Sequence, residues 1–430
     1  MSVTSTDSDF EIIILGLVEK YNRVRKTTTD ICAPLKTEDY VVQPMVDVSP
    51  PKWHLAHTTW FFENFILLPF KPQYQVFDKD YGFLFNSYYE NVGSRVLRPE
   101  RGNMTRPAVD DIMKYREYVD KEIDELIELT KGEDHKIVEL IELGLQHEQQ
   151  HQELLVTDIK YILGNNPLFP VYKTPIQKSP EKISELRNEN YLEVEEGIYE
   201  IGYGDDEFCF DNERGIHKVF LHAFRFSDRL VTNGEYLEFI NSGGYRDFNH
   251  WLADGWDWVK QNNKKSPLYW FQQDNDWYNY TLEGYQLIEP YSPVTHISFY
   301  EADAYAKWKG KRLLTEFEWE AACNLYSNNI YPKANFLEHQ NFHPLLAADG
   351  NNQMFGDAWE WTNSAYLSYP YYKKVDGALG EYNGKFMINQ MVLRGGSCAT
   401  PSDHIRSTYR NFFPPDKQWQ FTGIRLAEHL

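Results

Sequence analysis

Leu143–Leu155 reads LGLQHEQQHQELL. His147 and His151 stand four residues apart in a run of helical apolar spacing. On an α-helix that step returns to nearly the same face, with Cβ atoms roughly 5–6 Å apart. Two imidazoles so placed can share one metal ion, at about 2.0–2.1 Å per bond for zinc and slightly more for iron. A bare H-x-x-x-H also describes a solvated pair on a helix face. Here Glu148, Gln150 and Glu153 crowd polar groups among Leu143, Leu145, Leu154 and Leu155, and a polar strip beside so much leucine points to a site.

Outward from this stretch the pattern stays helical. Residues 134–163 form its own helix, closed by Gly164-Asn165-Asn166-Pro167. Upstream, 108–130 is a charged amphipathic helix with Ile112, Tyr115, Val119, Ile123 and Leu126 on one face. Trp53–Leu68, delivered by Ser49-Pro50-Pro51, reads as a buried helix with His54 and His57 near its start. Residues 7–31 form a fourth helix, acidic at its beginning and basic near its end, as the helix dipole favours. Residues 69–106 make a long aromatic connection, and one this long without periodicity is more often functional than idle. Four helices with one extended crossover predict a helix bundle over 1–165, a scaffold that builds metal sites from facing helices.

Residues 166–190 read as a linker rich in proline and lysine. From Tyr191 onward short β-like pieces, YLEVEEGIYEIG and HKVFLHAFRFS, alternate with Gly, Asp and Asn. Helices are predicted at 233–240, 300–308 and 316–323, and tight glycine turns at Gly356, Gly395-Gly396 and Gly423. The fold class is therefore α+β multidomain, with an irregular second domain over 191–430.

With 430 residues, 25% charged and 42% hydrophobic, the chain has the composition of a two-domain globular protein. A formal net charge of -21 disfavours nucleic acid and anionic membrane as partners, because both require a basic footprint. A small or cationic substrate fits better. The 12 Trp, 30 Tyr and 26 Phe exceed what a core alone asks for and suggest aromatic-lined pockets. Cys32, Cys209, Cys323 and Cys398 form no C-x-x-C pair, and no apolar run reaches the roughly 18–20 residues of a membrane span. A soluble, cytoplasmic protein is expected; the oligomeric state is left open.

H-E-Q-Q-H also fits the zinc-hydrolase pattern in which the intervening glutamate is a general base. That pattern needs a third ligand downstream, and Glu153 follows too closely on the same helix. The better third ligand lies upstream in Trp53-His-Leu-Ala-His57, where His54 and His57 point only about 60° apart. Three neutral imidazoles suit Fe(II), Zn(II) or Cu(II) about equally. Tyr88 and Tyr89 sit in an NSYYENVG loop of the kind that projects side chains, and a phenol near an oxygen-activating metal can supply a proton or hydrogen atom. Near the C-terminus, Asn411, Phe412 and Phe413 place two rings beside an amide, suited to a ligand carrying a quaternary ammonium; cation-π attraction would contribute roughly 0.5–2 kcal/mol. Arg394, Arg406, Arg410 and Arg425 read as structural partners for acidic residues.

These motifs carry a resemblance. The first domain resembles the DinB-like bundle. DNERGIHKVFLHAFRFSDRLVTNGEYLEFINSGGY, PVTHISFYEADAYAKWKGKRLLTEFEWEAA, GDAWEWTNSAY, VLRGGS and TGIRLA resemble the formylglycine-generating-enzyme domain, a fold related to C-type lectins. The fusion, with LAH at 55–57 and HEQQHQE at 147–153, resembles the ergothioneine-biosynthesis sulfoxide synthases. The resemblance implies a non-haem Fe(II) held by His57, His147 and His151. It also implies O2-dependent joining of a cysteine or γ-glutamylcysteine thiol to C2 of the hercynine imidazole, giving a sulfoxide. Gln150 matches the family's imidazole-contacting glutamine, and Asn411 and Phe412 fall on its hercynine pocket. The Tyr88-Tyr89 pair resembles the branch that keeps its active tyrosine in the first domain and takes free cysteine. Arg101 or Arg106 would hold the cysteine carboxylate. The lone Cys398 in the last segment argues against copper-dependent formylglycine formation, and no methyltransferase domain is visible. Within the same architecture, alternatives are a C5-linked histidine product or a selenium-transferring relative.

Overall fold

The computed structural model describes residues 7–89, 93–130, 134–174, 188–327, 333–348, 350–374 and 383–430. It divides into two compact units, Met1–Asn165 and Asn166–Leu430. Most of the stretch read as a linker, 175–187, lies outside the described residues, as do the end of the NSYYENVG loop and the Lys131-Gly132 turn. Among the described residues, no helix is long and apolar enough to cross a membrane.

Four long helices make the first unit: α1 (Asp7–Cys32), α2 (Pro51–Phe62), α3 (Val109–Thr130) and α4 (His135–Gly164). α1 buries Leu17, Tyr21, Val24, Thr28 and Ile31, a three-to-four-residue step along one face. α3 does the same with Ile112, Tyr115, Val119, Ile123 and Leu126. Every residue of α2 is buried, so α2 is the core element against which α3 and α4 pack. Pro51 at its first position supplies a preset φ and no stray donor. Beyond Phe62 the helix widens into a π-type turn over Glu63–Leu67 before ending at Phe70. α4 begins at Asp134, whose carboxylate accepts from the Lys136 and Ile137 amides. Its mid-helix Gly144 has a packing cause: a Cβ there would lie 2.7 Å from the Phe62 ring and 3.2 Å from that of Phe61. That close approach holds α4 against α2.

The second unit is α+β. β1 (Tyr191–Val194) and β12 (Ala427–His429) flank β4 (Phe224–Ser227), and β2 (Gly197–Ile201) pairs antiparallel with β3 (His217–Leu221). Both long β-like stretches of the sequence are thus split in two by a turn. β5 (Trp270–Gln273), β6 (Asp276–Thr281) and β7 (Gly284–Leu287) form a meander. The remaining sheet runs β10 (Asn411–Phe413), β9 (Met391–Arg394), β8 (Trp359–Ala365), β11 (Thr422–Gly423), with Phe412 opposite Val392. Gly423, expected in a turn, belongs to β11, which runs parallel to β8.

Its helices are α5 (Asn233–Asn241), α6 (Ala253–Asn262), α7 (Phe299–Trp308) and α8 (Glu316–Tyr326). α5, α7 and α8 each start with a capping box, Thr232/Glu235, Ser298/Glu301 and Thr315/Glu318. α6 was not expected: it carries Asp254 and Gly255 and buries only Gly255 and Val259, too thin a stripe for periodicity to register. The four C-terminal arginines are ion-pair members, as their charge suggested, with Arg394, Arg410 and Arg425 buried and Arg406 half-buried. Arg394 meets Glu320 at 2.9 Å, Arg410 meets Glu316 at 2.8 Å, Arg425 meets Glu360 at 2.7 Å, and Arg406 Nε donates to Glu213 at 2.7 Å.

Candidate metal centre

α2 and α4 face each other with their histidines. The donor nitrogens of His57, His147 and His151 all lie within 4.8 Å of one another, and all three residues are buried. Their ring centroids are 4.7–5.0 Å apart. Donors on one ion at about 2.0–2.1 Å per bond are separated by roughly 3–4 Å, so small ring rotations complete the set.

The nitrogen that each ring offers follows from its other partner. His57 Nδ1 donates to the Phe85 carbonyl at 2.6 Å, which leaves Nε2 a lone pair, and that buried Nε2 has no hydrogen-bond partner. His147 has none on either nitrogen. An unmet buried polar group costs about 1–3 kcal/mol, so these imidazoles fit a ligand from outside the chain. Burial lowers the pKa of all three, that of His147 to about 4; the neighbouring imidazoles push His57 and His151 further the same way. All three are therefore neutral near pH 7, the form that binds a metal.

His54, three residues before His57, takes a different place. Its Nε2 lies 3.0 Å from Asp158 Oδ2 and its Nδ1 lies 2.9 Å from His151 Nδ1. It stands behind the His151 ring, outside the set of three converging imidazoles.

Glu148 points elsewhere too. It is fully buried, with Oε2 accepting from Arg25 at 2.8 Å and Oε1 from Arg116 at 3.0 Å and Thr28 at 2.7 Å. Burial works against its charge, but the two guanidiniums hold its pKa at about 2. A carboxylate so engaged ties α1, α3 and α4 together and is no general base, which removes the zinc-hydrolase reading.

The NSYYENVG loop does not project both tyrosines. Tyr89 is 2% exposed, its ring 5.5 Å from Trp60 and 5.1 Å from Phe65, because the aromatic face of α2 captures it. Tyr88 is half-buried and stacks toward Tyr89 at 4.7 Å. Trp60 in turn stacks on His57 at 5.5 Å, so one ring separates Tyr89 from the histidine cluster.

Arg101 and Arg106 differ sharply. Arg106 is exposed and donates to the neighbouring Thr105 carbonyl. Arg101 is buried, donates to the hydroxyls of Ser49 and Ser87, and lies 3.4 Å over Trp53, the ring stacked on His57 at 4.5 Å. Its Nε has no partner, and burial pushes its pKa well down. An anion is what such a guanidinium lacks. Gln150 is half-buried on α4, three residues beyond His147.

In the second unit, Asn411, Phe412 and Phe413 are half-buried on β10. Phe412 stacks on Tyr366 at 4.0 Å and lies 5.9 Å from Phe386, while Phe413 meets Trp419 edge-on. The residues that sequence reasoning passed over are Trp53, the Phe85 carbonyl and Asp158. Only Asp158 left a signal: it falls seven residues, two helical turns, after His151.

Residues 20–155 match the DinB superfamily, and residues 177–350 and 346–430 match the sulfatase-modifying factor enzyme 1-like domain. The chain is 31% identical over 306 residues to the hercynine oxygenase of Mycobacterium tuberculosis, covering 66% of this chain and 70% of that protein. It is 30% identical over 310 residues to the hercynine oxygenase of Mycolicibacterium smegmatis, again covering 66% and 70%. The ergothioneine biosynthesis protein 1 of Schizosaccharomyces pombe is 26% identical over 236 residues, covering 52% of this chain and 28% of that one.

Proposed function

Because the chain belongs to the hercynine oxygenase family and is an oxidoreductase, we propose that it is an iron-dependent sulfoxide synthase of ergothioneine biosynthesis. The reaction joins a cysteine sulfur to C2 of the hercynine imidazole. Hercynine loses its C2–H hydrogen and cysteine its S–H hydrogen; a C–S bond forms; one atom of O2 becomes the sulfoxide oxygen and the other leaves as water with the two hydrogens. O2 is the four-electron oxidant, so no further reductant is needed.

The observation that carries the reading is the convergence of three neutral, buried imidazoles, of which His57 Nε2 and both nitrogens of His147 meet no hydrogen-bonding group of the chain. His57, His147 and His151 would hold Fe(II). When bound, the ion supplies Lewis acidity toward a thiol and redox chemistry toward O2. The side chains do the rest. Arg101 takes the cysteine carboxylate, aided by Ser49 and Ser87, which already fix its fork. Gln150 orients the hercynine imidazole; within the second unit, Asn411 with Phe412 and Phe413 offers an amide and aromatic faces of the kind that take a quaternary ammonium. Tyr89, held by Trp60 and Phe65, or Tyr88 beside it would be the phenol that moves a proton, and Tyr89 is slightly favoured. Free cysteine is the favoured sulfur donor because this tyrosine pair lies in the first unit.

Incubation with Fe(II), O2, cysteine and hercynine, followed by mass spectrometry and NMR of the product, tests the proposal. A C2-linked sulfoxide with one water released is expected. A C5-linked product from histidine would overturn it.

A further inference from the structure

His151 is held by a buried chain of hydrogen bonds that the other two histidines lack. Asp158 Oδ2 accepts the Ser49 backbone N–H at 2.8 Å and faces His54 Nε2 at 3.0 Å. His54 Nδ1 faces His151 Nδ1 at 2.9 Å. His54 and Asp158 are both 2% exposed, so water does not substitute for these partners.

The direction of the chain follows from its end. A carboxylate oxygen accepts and does not donate, so the proton of a neutral His54 lies on Nε2. His54 Nδ1 is then a lone pair and accepts from His151 Nδ1–H. That places the lone pair of His151 on Nε2. We propose that His54 and Asp158 are positioning residues which fix the tautomer and ring orientation of His151 so that Nε2 faces the metal. They act through His151 and touch neither substrate nor ion. Ser49 extends the chain, because its hydroxyl also accepts from Arg101 at 2.9 Å. The anchor of the carboxylate-binding arginine and the anchor of one metal ligand are thus the same residue. Partners of this kind typically change metal affinity by about 10–100-fold.

The inference rests on the three-histidine reading and is tested apart from turnover. In metal-free protein labelled with 15N-histidine at neutral pH, long-range 1H–15N correlations report which ring nitrogen carries the proton. His151 is expected to be protonated on Nδ1. Asp158→Ala removes the acceptor that faces His54 Nε2, so His54 is no longer held in the Nε2–H form and His151 is no longer held as Nδ1–H. Anaerobic titration with Co(II) should then show affinity weakened about 10–100-fold. His54→Gln keeps an oxygen toward His151 and an N–H toward Asp158, and should preserve the tautomer and most of the affinity.

A wild-type His151 protonated on Nε2, or a folded Asp158→Ala that binds Co(II) like wild type, overturns the inference. The wild-type spectrum decides it even if the variant does not fold. His147→Ala separates the two readings: unchanged Co(II) binding there defeats the three-histidine site itself, whatever the tautomer of His151.

Discussion

The guanidinium carbon of Arg101 lies 3.4 Å from the centroid of the Trp53 ring. That ring is stacked on His57 with 14° between planes, so a cation with an open Nε stands one aromatic ring from the three converging imidazoles. Lysine cannot reproduce the planar fork over Trp53. Arg101→Lys is expected to raise the KM for cysteine about 10–100-fold, the equivalent of roughly 1.5–3 kcal/mol for a charge-assisted pair. The exposed Arg106→Ala should leave it unchanged. Steady-state O2 consumption against cysteine concentration measures both, and equal KM values for Arg101→Lys and wild type would remove Arg101 from the carboxylate site.

Glu148 is the shared acceptor of two buried guanidiniums. Glu148→Gln leaves Arg25 and Arg116 undercompensated and should cost about 3–5 kcal/mol of stability. Urea unfolding of the metal-free protein measures it. A loss under about 1 kcal/mol would mean that Glu148 does not tie the bundle together.

The metal-free protein should lose stability in mild acid. Burial holds the folded pKa of His147 at about 4, below the value of about 6.5 in an unfolded chain, so between those pH values the unfolded state binds more protons. The contribution is fully present above about pH 6.5 and lost as pH falls toward 4, on the order of 3 kcal/mol in all. His147→Leu should flatten this slope. Unfolding midpoints across the window check it, and an equal slope in the variant would contradict the burial argument.

Tyr89→Phe keeps the ring against Trp60 and Phe65 and removes only the hydroxyl. If Tyr89 moves the proton, kcat falls by about 10²–10⁴ with KM little changed, while Tyr88→Phe stays near wild type. The reverse ranking would give the role to Tyr88.

Phe412→Leu tests the acceptor. Loss of a cation-π contact worth about 0.5–2 kcal/mol predicts a KM for hercynine raised about 2- to 30-fold, with that for cysteine unchanged. A shift for cysteine alone would place Phe412 elsewhere.

The helix pair that carries the site was legible because His147 and His151 repeat at a helical step and Ser49-Pro50-Pro51 announces α2. What stayed hidden was whatever depends on three-dimensional partnership. His54 and His57 differ by only about 60° around a helix; Asp158 and the Phe85 carbonyl separate them, and neither is near them in sequence. The burial of Tyr89 was missed because a loop rich in Asn and Gly reads as exposed, whereas Trp60 on α2 and Phe65 in the π-type turn after it supply a surface to bury it. Glu148 looked catalytic by motif, and only Arg25 and Arg116, more than 30 residues away in the chain, reveal its structural task. α6 escaped because two buried residues make no periodic signal.

His57, His147 and His151 are proposed to bind one iron ion. The most direct measurement is the iron content per chain of protein loaded with Fe(II) and desalted without oxygen, for wild type and for folded His57→Ala, His147→Ala and His151→Ala. One iron per wild-type chain and near-complete loss in each variant is the expected result. Iron retained at wild-type stoichiometry in any of the three would contradict it.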